Sequence, residues 1–376
     1  MATARVLDRR TLNRTLLARQ GLLARTHEPA LAVVERLVGM QAQEPIDPYV
    51  ALWTRLEDFD PTELADAILD RRAVRIGLLR TTLHLVTAAD ARAIEPVTAE
   101  VLTKAYRNSP FAKTLAGADT AAIVAAAREI LDAEPLSPSD LGRRLAERWP
   151  DLDANAMAYT ARFLLPLVQV PPRGVWGRTA KTVNTTAEAW LGGPLGPAAS
   201  RESLVERYLR AFGPATSADL RTWSWLTGWR EVIERMRPHL RTYRDEAGRE
   251  LLDVENGRIE DSTRDAPVRF LPQYDNVFLS HEDRSRLNGA MAWGIDFGWK
   301  GPILVDGFIT GAWRLRRVHA AATMSIELGR SLSRAERVDL EAELDRLLSF
   351  FRVDDRFRNI SCDVRAGADE SSPVDL

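Results

Sequence analysis

The sequence predicts an α+β chain, mainly α, in which a group of three or four short helices followed by a β-hairpin occurs three times. A strand-rich C-terminal region closed by a helix follows. Three observations predict it. Apolar residues recur at helical spacing in short segments, each group ends in a β-branched or Gly/Pro-punctuated strand pair, and the pattern changes beyond residue 265. At 376 residues the chain has room for two or three domains. A chain of this length buries enough surface to fold without disulfide or metal.

Helical periodicity runs through Leu12–Leu23, Ala30–Val38, Pro48–Leu56 and Thr62–Ile68. The stretch Ala73–Val86 then turns β-branched and alternating, which predicts a hairpin. Helices followed by a hairpin make a winged helix-turn-helix unit, the hairpin being the wing. A second unit has helices at Thr120–Ala133, Pro138–Arg148 and Ala154–Leu165, with Ser137 and Asp153 as N-caps for the last two. Its wing is expected over Val168–Arg178, with Pro171-Pro-Arg-Gly174 turning between two strands. A third unit begins at Ser200. Helix Leu204–Phe212 stops at Gly213-Pro214, Thr216/Ser217 caps a helix through Trp223, and Trp229–Arg237 precedes a hairpin over Arg241–Leu252.

Strands are then expected at Val268–Leu271, Pro302–Val305 and Phe308–Leu315, with Asp306-Gly307 as a tight turn. A helix follows at Arg334–Phe350. The resulting units are 8–118, 119–198, 199–265 and 266–365, with 366–376 as a disordered acidic tail.

Composition removes several function classes. One cysteine, Cys362, excludes an internal disulfide and a zinc site of paired thiolates. No apolar run approaches the roughly 20 residues that span a bilayer, and the N-terminus has no signal-peptide character. A cytoplasmic protein is expected. Phosphate-cradling glycine loops, nucleophile elbows and dinucleotide fingerprints are all missing, which weighs against NTPase, α/β-hydrolase and dehydrogenase activities. His281-Glu282-Asp283 lacks a second histidine at helical spacing, so no metal is expected there.

Net charge is −2, yet its distribution is uneven. Only four of the 51 basic residues are lysines, a skew that fits phosphate contacts and equally an arginine-favouring genome. Residues 71–113 carry eight Lys/Arg against three acids, and residues 160–187 carry Arg162, Arg173, Arg178 and Lys181 with no acid. Residues 40–70 carry eight acids and one arginine. The basic excess falls on or beside the first two wings, where nucleic-acid phosphates would be met. On the first wing, Arg80, Thr82 and His84 are expected in one row facing a wet anionic groove. Arg314 and Arg316 end the strand after Asp306-Gly307, as a basic hairpin suited to phosphates or a minor groove. In Gly39-Met-Gln-Ala-Gln43, Gly39 is read as a helix C-terminus. Gln41 and Gln43, two apart, point their amides the same way if the backbone is extended.

Six strings in order, Leu12–Gln20, Gly39–Gln43, Arg80–Val86, Phe212–Thr216, Leu271–Asp275 and Val305–Gly307, resemble the winged-helix DNA glycosylases of the AlkZ/YcaQ superfamily. The resemblance spans about residues 8 to 355. It implies tandem winged-helix units around a concave DNA-binding channel, double-stranded DNA with alkylated purines as partner, a monomer located with the nucleoid, and no cofactor or metal. The family signature, glutamine, an aliphatic residue, then glutamine or aspartate, matches Gln41-Ala42-Gln43. That implies Gln41 and Gln43 as catalytic residues of the Gln-x-Gln branch, whose substrates include bulky N7-guanine adducts and interstrand crosslinks left by antibiotic genotoxins. DNA contacts are expected from Arg80, Thr82, His84, Arg173, Arg178, Lys181, Arg314 and Arg316. No lysine lies in the motif, so lyase chemistry through a Schiff base is not expected. The alternative is a non-enzymatic winged-helix DNA-binding protein or regulator.

Overall fold

The computed structural model describes residues 5–288, 298, 300–318, 321–353 and 358–364. The expected acidic tail lies outside them. The fold is α+β and mainly helical, as the periodicities imply. The first four helices are Arg9–Arg19, Ala30–Arg36, Asp47–Trp53 and Pro61–Leu69, followed by the hairpin strands Ala73–Gly77 and Leu83–Thr87. Asp8 and Asp60 cap the first and fourth through backbone N–H groups at Thr11 and Thr62. In the second unit, Thr120–Ala133, Pro138–Ala146 and Ala154–Leu164 begin at Asp119, Ser137 and Asp153, each accepting from a backbone N–H of the first turn. Ile123, Ala127, Leu131, Leu145, Met157 and Ala161 form that unit's own core.

The second wing differs from its expected form. Leu167–Gln169 does not turn back at Pro171-Pro172 but pairs with Asn184–Thr186, across a long loop. Prolines 171 and 172 have no N–H to continue a ladder. The loop carries Trp176 onto Tyr49, with ring centroids 5.1 Å apart, and Tyr49 Oη donates to the Gly174 carbonyl at 2.8 Å. Leu167–Gln169 also pairs with Ala73–Gly77, so the first two wings merge into one five-stranded sheet.

The third unit has helices Arg201–Phe212, Ser217–Ser224 and Trp229–Met236 and the hairpin Leu240–Asp245/Glu250–Val254. Thr216 and Asp219 close a capping box on its middle helix. The chain's first strand, Val6–Leu7, runs parallel to Leu240–Asp245. Leu16 and Leu17 of the first helix share a core with Tyr208, Phe212 and Trp223. The C-terminal region is a five-stranded sheet over Arg269–Phe270, Gly301–Val305, Phe308–Val318, Ala321–Leu328 and Arg358–Val364, covered by helix Arg334–Phe350.

Distant strings of the sequence lock together. Asn13 donates to the carbonyls of Arg286 (2.8 Å) and Gly307 (2.7 Å). The buried Arg14 donates to the Asp306 carbonyl at 3.0 Å and pairs with its carboxylate. The turn Asp306-Gly307 is thereby docked on the first helix. Its left-handed backbone, φ 49° and 78°, is the tight turn the sequence predicts.

Candidate active site

The Gly39–Gln43 segment is held from several sides. Gly39 adopts φ +86° just beyond helix Ala30–Arg36, and its N–H bonds the Val34 carbonyl at 2.9 Å. Met40–Gln41 is a short strand antiparallel to Leu83–Thr87, with Gln41 opposite His84. The Ala42 N–H reaches the Leu83 carbonyl at 2.7 Å. Asn276 donates to the Gly39 carbonyl at 2.6 Å, and Arg75 donates to the Ala42 carbonyl at 2.7 Å and to Gln169 on the second wing. A Cβ on Gly39 would stand 2.5 Å from Val86 Cγ1, in a backbone conformation that L side chains avoid. Gly39→Ala is therefore expected to cost about 1–3 kcal/mol in denaturant unfolding, with strain and overpacking acting together.

Gln41 is 6% exposed and Gln43 is exposed. Arg80 Nη2 donates to Gln41 Oε1 at 3.0 Å, and the Leu83 N–H donates to Gln43 Oε1 at 3.3 Å. A guanidinium and a backbone N–H only donate, so both amides have their carbonyls turned to the protein. The Gln41 NH2 is left without a protein acceptor among the described residues.

The first-wing row is not the open groove the sequence predicts. Arg80 sits in a 3₁₀ turn with φ +54°, which breaks the alternation, and it is 9% exposed. Besides Gln41 it donates to the Trp223 carbonyl at 2.5 Å, and Nη2 lies 3.4 Å from His84 Nε2. His84 is 1% exposed. Since Arg80 can only donate, Nε2 is the acceptor and Nδ1–H meets the Thr82 carbonyl at 3.0 Å. Burial, with the Arg80 charge beside it, pushes the imidazole down to about 3, so it is neutral at physiological pH. Burial also lowers Arg80 to about 10, which leaves it charged. Arg80 and His84 are thus a buried support behind Gln41 rather than phosphate ligands. Thr82 is half-buried and bonds the Leu79 carbonyl at 3.1 Å.

The other expected contacts stand nearer the surface. Arg178, Lys181 and Arg316 are exposed, while Arg314 is half-buried. Arg173 donates to the Ala180 carbonyl at 3.1 Å and lines a cavity of about 320 Å³ together with Gln43, Thr82 and Arg162. A second cleft, of about 550 Å³, is lined by Glu44, the residue after Gln43, with Asp47, Trp176, Trp313, Arg314 and Arg352. His281 is a buried structural ring beside Ser280 Oγ and the Phe212 carbonyl. Among the described residues no cluster of His, Cys, Asp or Glu could hold a metal ion.

Sequence reasoning missed Asp47 and Arg75. Arg75 is a fully buried cation in a strand that alternation alone would not single out. Asp47 is 5% exposed and its Oδ2 has no hydrogen-bond partner among the described residues. Burial first, then the negative charges of Glu44 and Asp275, push its carboxyl up to about 8. An acid protonated in the fold but ionised when unfolded makes stability fall as pH rises, here between about 4 and 8. Asp47→Asn is expected to melt above the native protein at pH 8 and close to it at acidic pH, by about a few kcal/mol at the upper end.

A winged-helix scaffold that presents two pinned amides, Gln41 at a small cavity and Gln43 at a larger one, with basic side chains at the surface, defines a DNA-processing protein of the glycosylase class. The family model for AlkZ-like DNA glycosylases matches residues 34–350, and the chain belongs to that family. Its fold is also that of the DNA glycosylase AlkZ of Streptomyces sahachiroi, with a TM-score of 0.72 at 20% identity over 95% of this chain and 100% of that one. Comparison with curated proteins returns no match. The chain is therefore a DNA glycosylase, with DNA as its substrate. No helix among the described residues is long and apolar enough to cross a membrane.

Proposed function

We propose that this glycosylase is monofunctional and hydrolyses the N-glycosidic bond of cationic N7-alkylated purines in double-stranded DNA, including bulky adducts and interstrand crosslinks. The carrying observation is the pair of pinned, neutral amides at Gln41 and Gln43. Neither titrates near neutral pH, so neither can take a full proton from water as a base. Gln43 Oε1 keeps a lone pair to accept from a water, and the Gln41 NH2 donates to that water or to a sugar oxygen. Arg80, charged behind the Gln41 carbonyl, polarises the amide and strengthens its N–H groups as donors.

So mild a site suffices when the leaving group is already activated. N7-alkylation puts a positive charge on the purine. Cleavage of C1′–N9 then moves the bonding pair onto N9 and expels a neutral base, with no acid needed. Water adds to C1′ and loses its proton to bulk solvent. Arg173, Arg178, Lys181, Arg314 and Arg316 hold the phosphates, and the protein acts as a monomer in the cytoplasm, with the nucleoid, without metal or cofactor. A crosslinked guanine is tied to the opposite strand and cannot be flipped, so the sugar is reached in place. Removal of such adducts is the repair that self-resistance to an alkylating antibiotic requires.

The test is incubation of the full chain with duplex DNA carrying N7-methylguanine, followed by alkaline cleavage at abasic sites. Release of the base with the backbone left intact before alkali is expected. Binding without release would favour a non-enzymatic regulator.

A further inference from the structure

The 550 Å³ cleft next to the small cavity at Gln41 has aromatic and acidic walls that the hydrolysis itself does not use. Glu44 follows Gln43 directly and stands at one side of the cleft with Asp47. Trp176 and Trp313 line it as well, and Arg314 and Arg352 complete its charged groups. Pro272 borders both this cleft and the small cavity at Gln41, so the two are neighbours. Trp313 is fixed by an indole N–H bond to the Leu271 carbonyl at 2.8 Å. Trp176 is braced by Tyr49 and by Phe350, the latter at 4.9 Å between centroids.

Asp47 is the anomaly. It is more than nine-tenths buried, it lines the cleft, and its Oδ2 takes no donor among the described residues. Buried carboxyls are nearly always hydrogen-bonded or paired, because desolvation without a partner costs several kcal/mol. Among the described residues Arg75 is the cation whose charge it feels, and the two Nη groups of that guanidinium bond Gln169 and the Ala42 carbonyl rather than Asp47. A buried carboxyl in the wall of an aromatic-lined cleft fits a flat cation through its charge, without direct contact to Oδ2: tryptophan faces attract positive charge, and the carboxylate supplies the counter-charge.

We propose that this cleft is a subsite for the cationic purine of a monoadduct, turned out of the base stack, with Asp47 as its counter-charge and Trp176 and Trp313 as its aromatic walls. Its volume exceeds that of a purine, which leaves room for a bulky N7 substituent. Arg314 and Arg352 suit the flanking phosphates. Asp47, largely protonated when the cleft is open, releases its proton to solvent as the cation arrives. The subsite deepens the glycosylase reaction proposed above and rests on it.

The probes are three duplexes. One carries N7-methylguanine on a 2′-fluorinated sugar, which resists hydrolysis. The second carries 7-methyl-7-deazaguanine, of the same shape without the charge, and the third is undamaged. The native chain is expected to bind the cationic duplex roughly tenfold tighter than the neutral isostere, a difference of about 1.4 kcal/mol. Asp47→Asn should bring the two within about twofold and leave the undamaged duplex unchanged, while Trp176→Ala should weaken both lesion duplexes. Melting of each variant at the assay temperature or below would be seen directly, and Asp47→Asn is expected to be no less stable than the native chain. Equal binding of both lesions by a native chain that still releases N7-methylguanine overturns the subsite and leaves the glycosylase reaction standing. So does a charge preference that survives in Asp47→Asn. No release from ordinary N7-methylguanine DNA overturns the reaction instead, whatever the binding.

Discussion

Gln41→Ala and Gln43→Ala are each expected to lower the single-turnover release of N7-methylguanine by about 10²–10³, the usual cost of removing one aligned dipole from a transition state. Affinity for undamaged duplex should change by less than about threefold, because phosphate contacts dominate it. The two substitutions are expected to fail differently. Gln43 is exposed and among the described residues bonds only the Leu83 N–H, so its removal leaves the fold intact. Gln41 is the acceptor for a buried cation, and its truncation takes one partner from Arg80, which has no carboxylate among its bonds. Gln41→Ala should therefore cost about 1–3 kcal/mol of stability as well as activity. Gln41→Glu separates the two effects. A carboxylate still accepts from Arg80 but presents no NH2, so stability returns and release does not. Release by Gln41→Ala within tenfold of the native rate would remove the glutamine pair from the reaction.

Much of the fold was legible because its signals are local. Thr120–Ala133 and Arg334–Phe350 were found at their observed limits, since each has an apolar stripe and a side chain in position to cap its start. Asp306-Gly307 was legible for the same reason: two residues that tolerate positive φ between two strands have few other uses. What escaped is settled by distant partners. Helix Ala88–Arg107 carries Pro96 in its interior, a local signal for a break. Tertiary packing of Ile94, Val101 and Leu102 overrides it. The second wing departs from its expected form because Pro171-Pro172 marks a loop without giving its length.

At the site, the two glutamines could be found in the sequence, but their orientation could not. It depends on Arg80, whose left-handed φ no propensity announces and which turns an apparent phosphate ligand into a support. The conspicuous strings proved to be largely fasteners. Leu12–Gln20 meets Val305–Gly307 through Asn13 and Arg14, and the Gly39 carbonyl is held by Asn276, the residue after Leu271–Asp275. A sequence shows that such residues are unusual types in their places, and only the fold shows that they are unusual together.

The largest stability effect is expected at one of these fasteners. Asp275 and Arg55 are each 1% exposed in their side chains, and they meet in a two-pronged bond, Nη1 to Oδ2 at 2.8 Å and Nη2 to Oδ1 at 2.7 Å. Asp275 also caps the turn that carries Asn276, through the Val277 N–H at 3.0 Å. Asp275→Ala strands a guanidinium in a dry interior, and breaking a buried pair from one side costs about 3–5 kcal/mol. Among the described residues Arg55 retains only the Ala51 carbonyl and Gln20 Oε1, and its Nε has no partner even in the native chain. Arg55→Met together with Asp275→Leu removes both charges and restores apolar volume, so the double variant is expected to unfold at higher denaturant than Asp275→Ala. The missing turn cap should still cost activity, because Asn276 no longer holds the Gly39 carbonyl that sets the approach to Gln41. A double variant less stable than the single one would mean that the pair stabilises the fold beyond what its desolvation costs. A single variant within about 1 kcal/mol of the native chain would mean that water reaches Arg55 when its partner is removed.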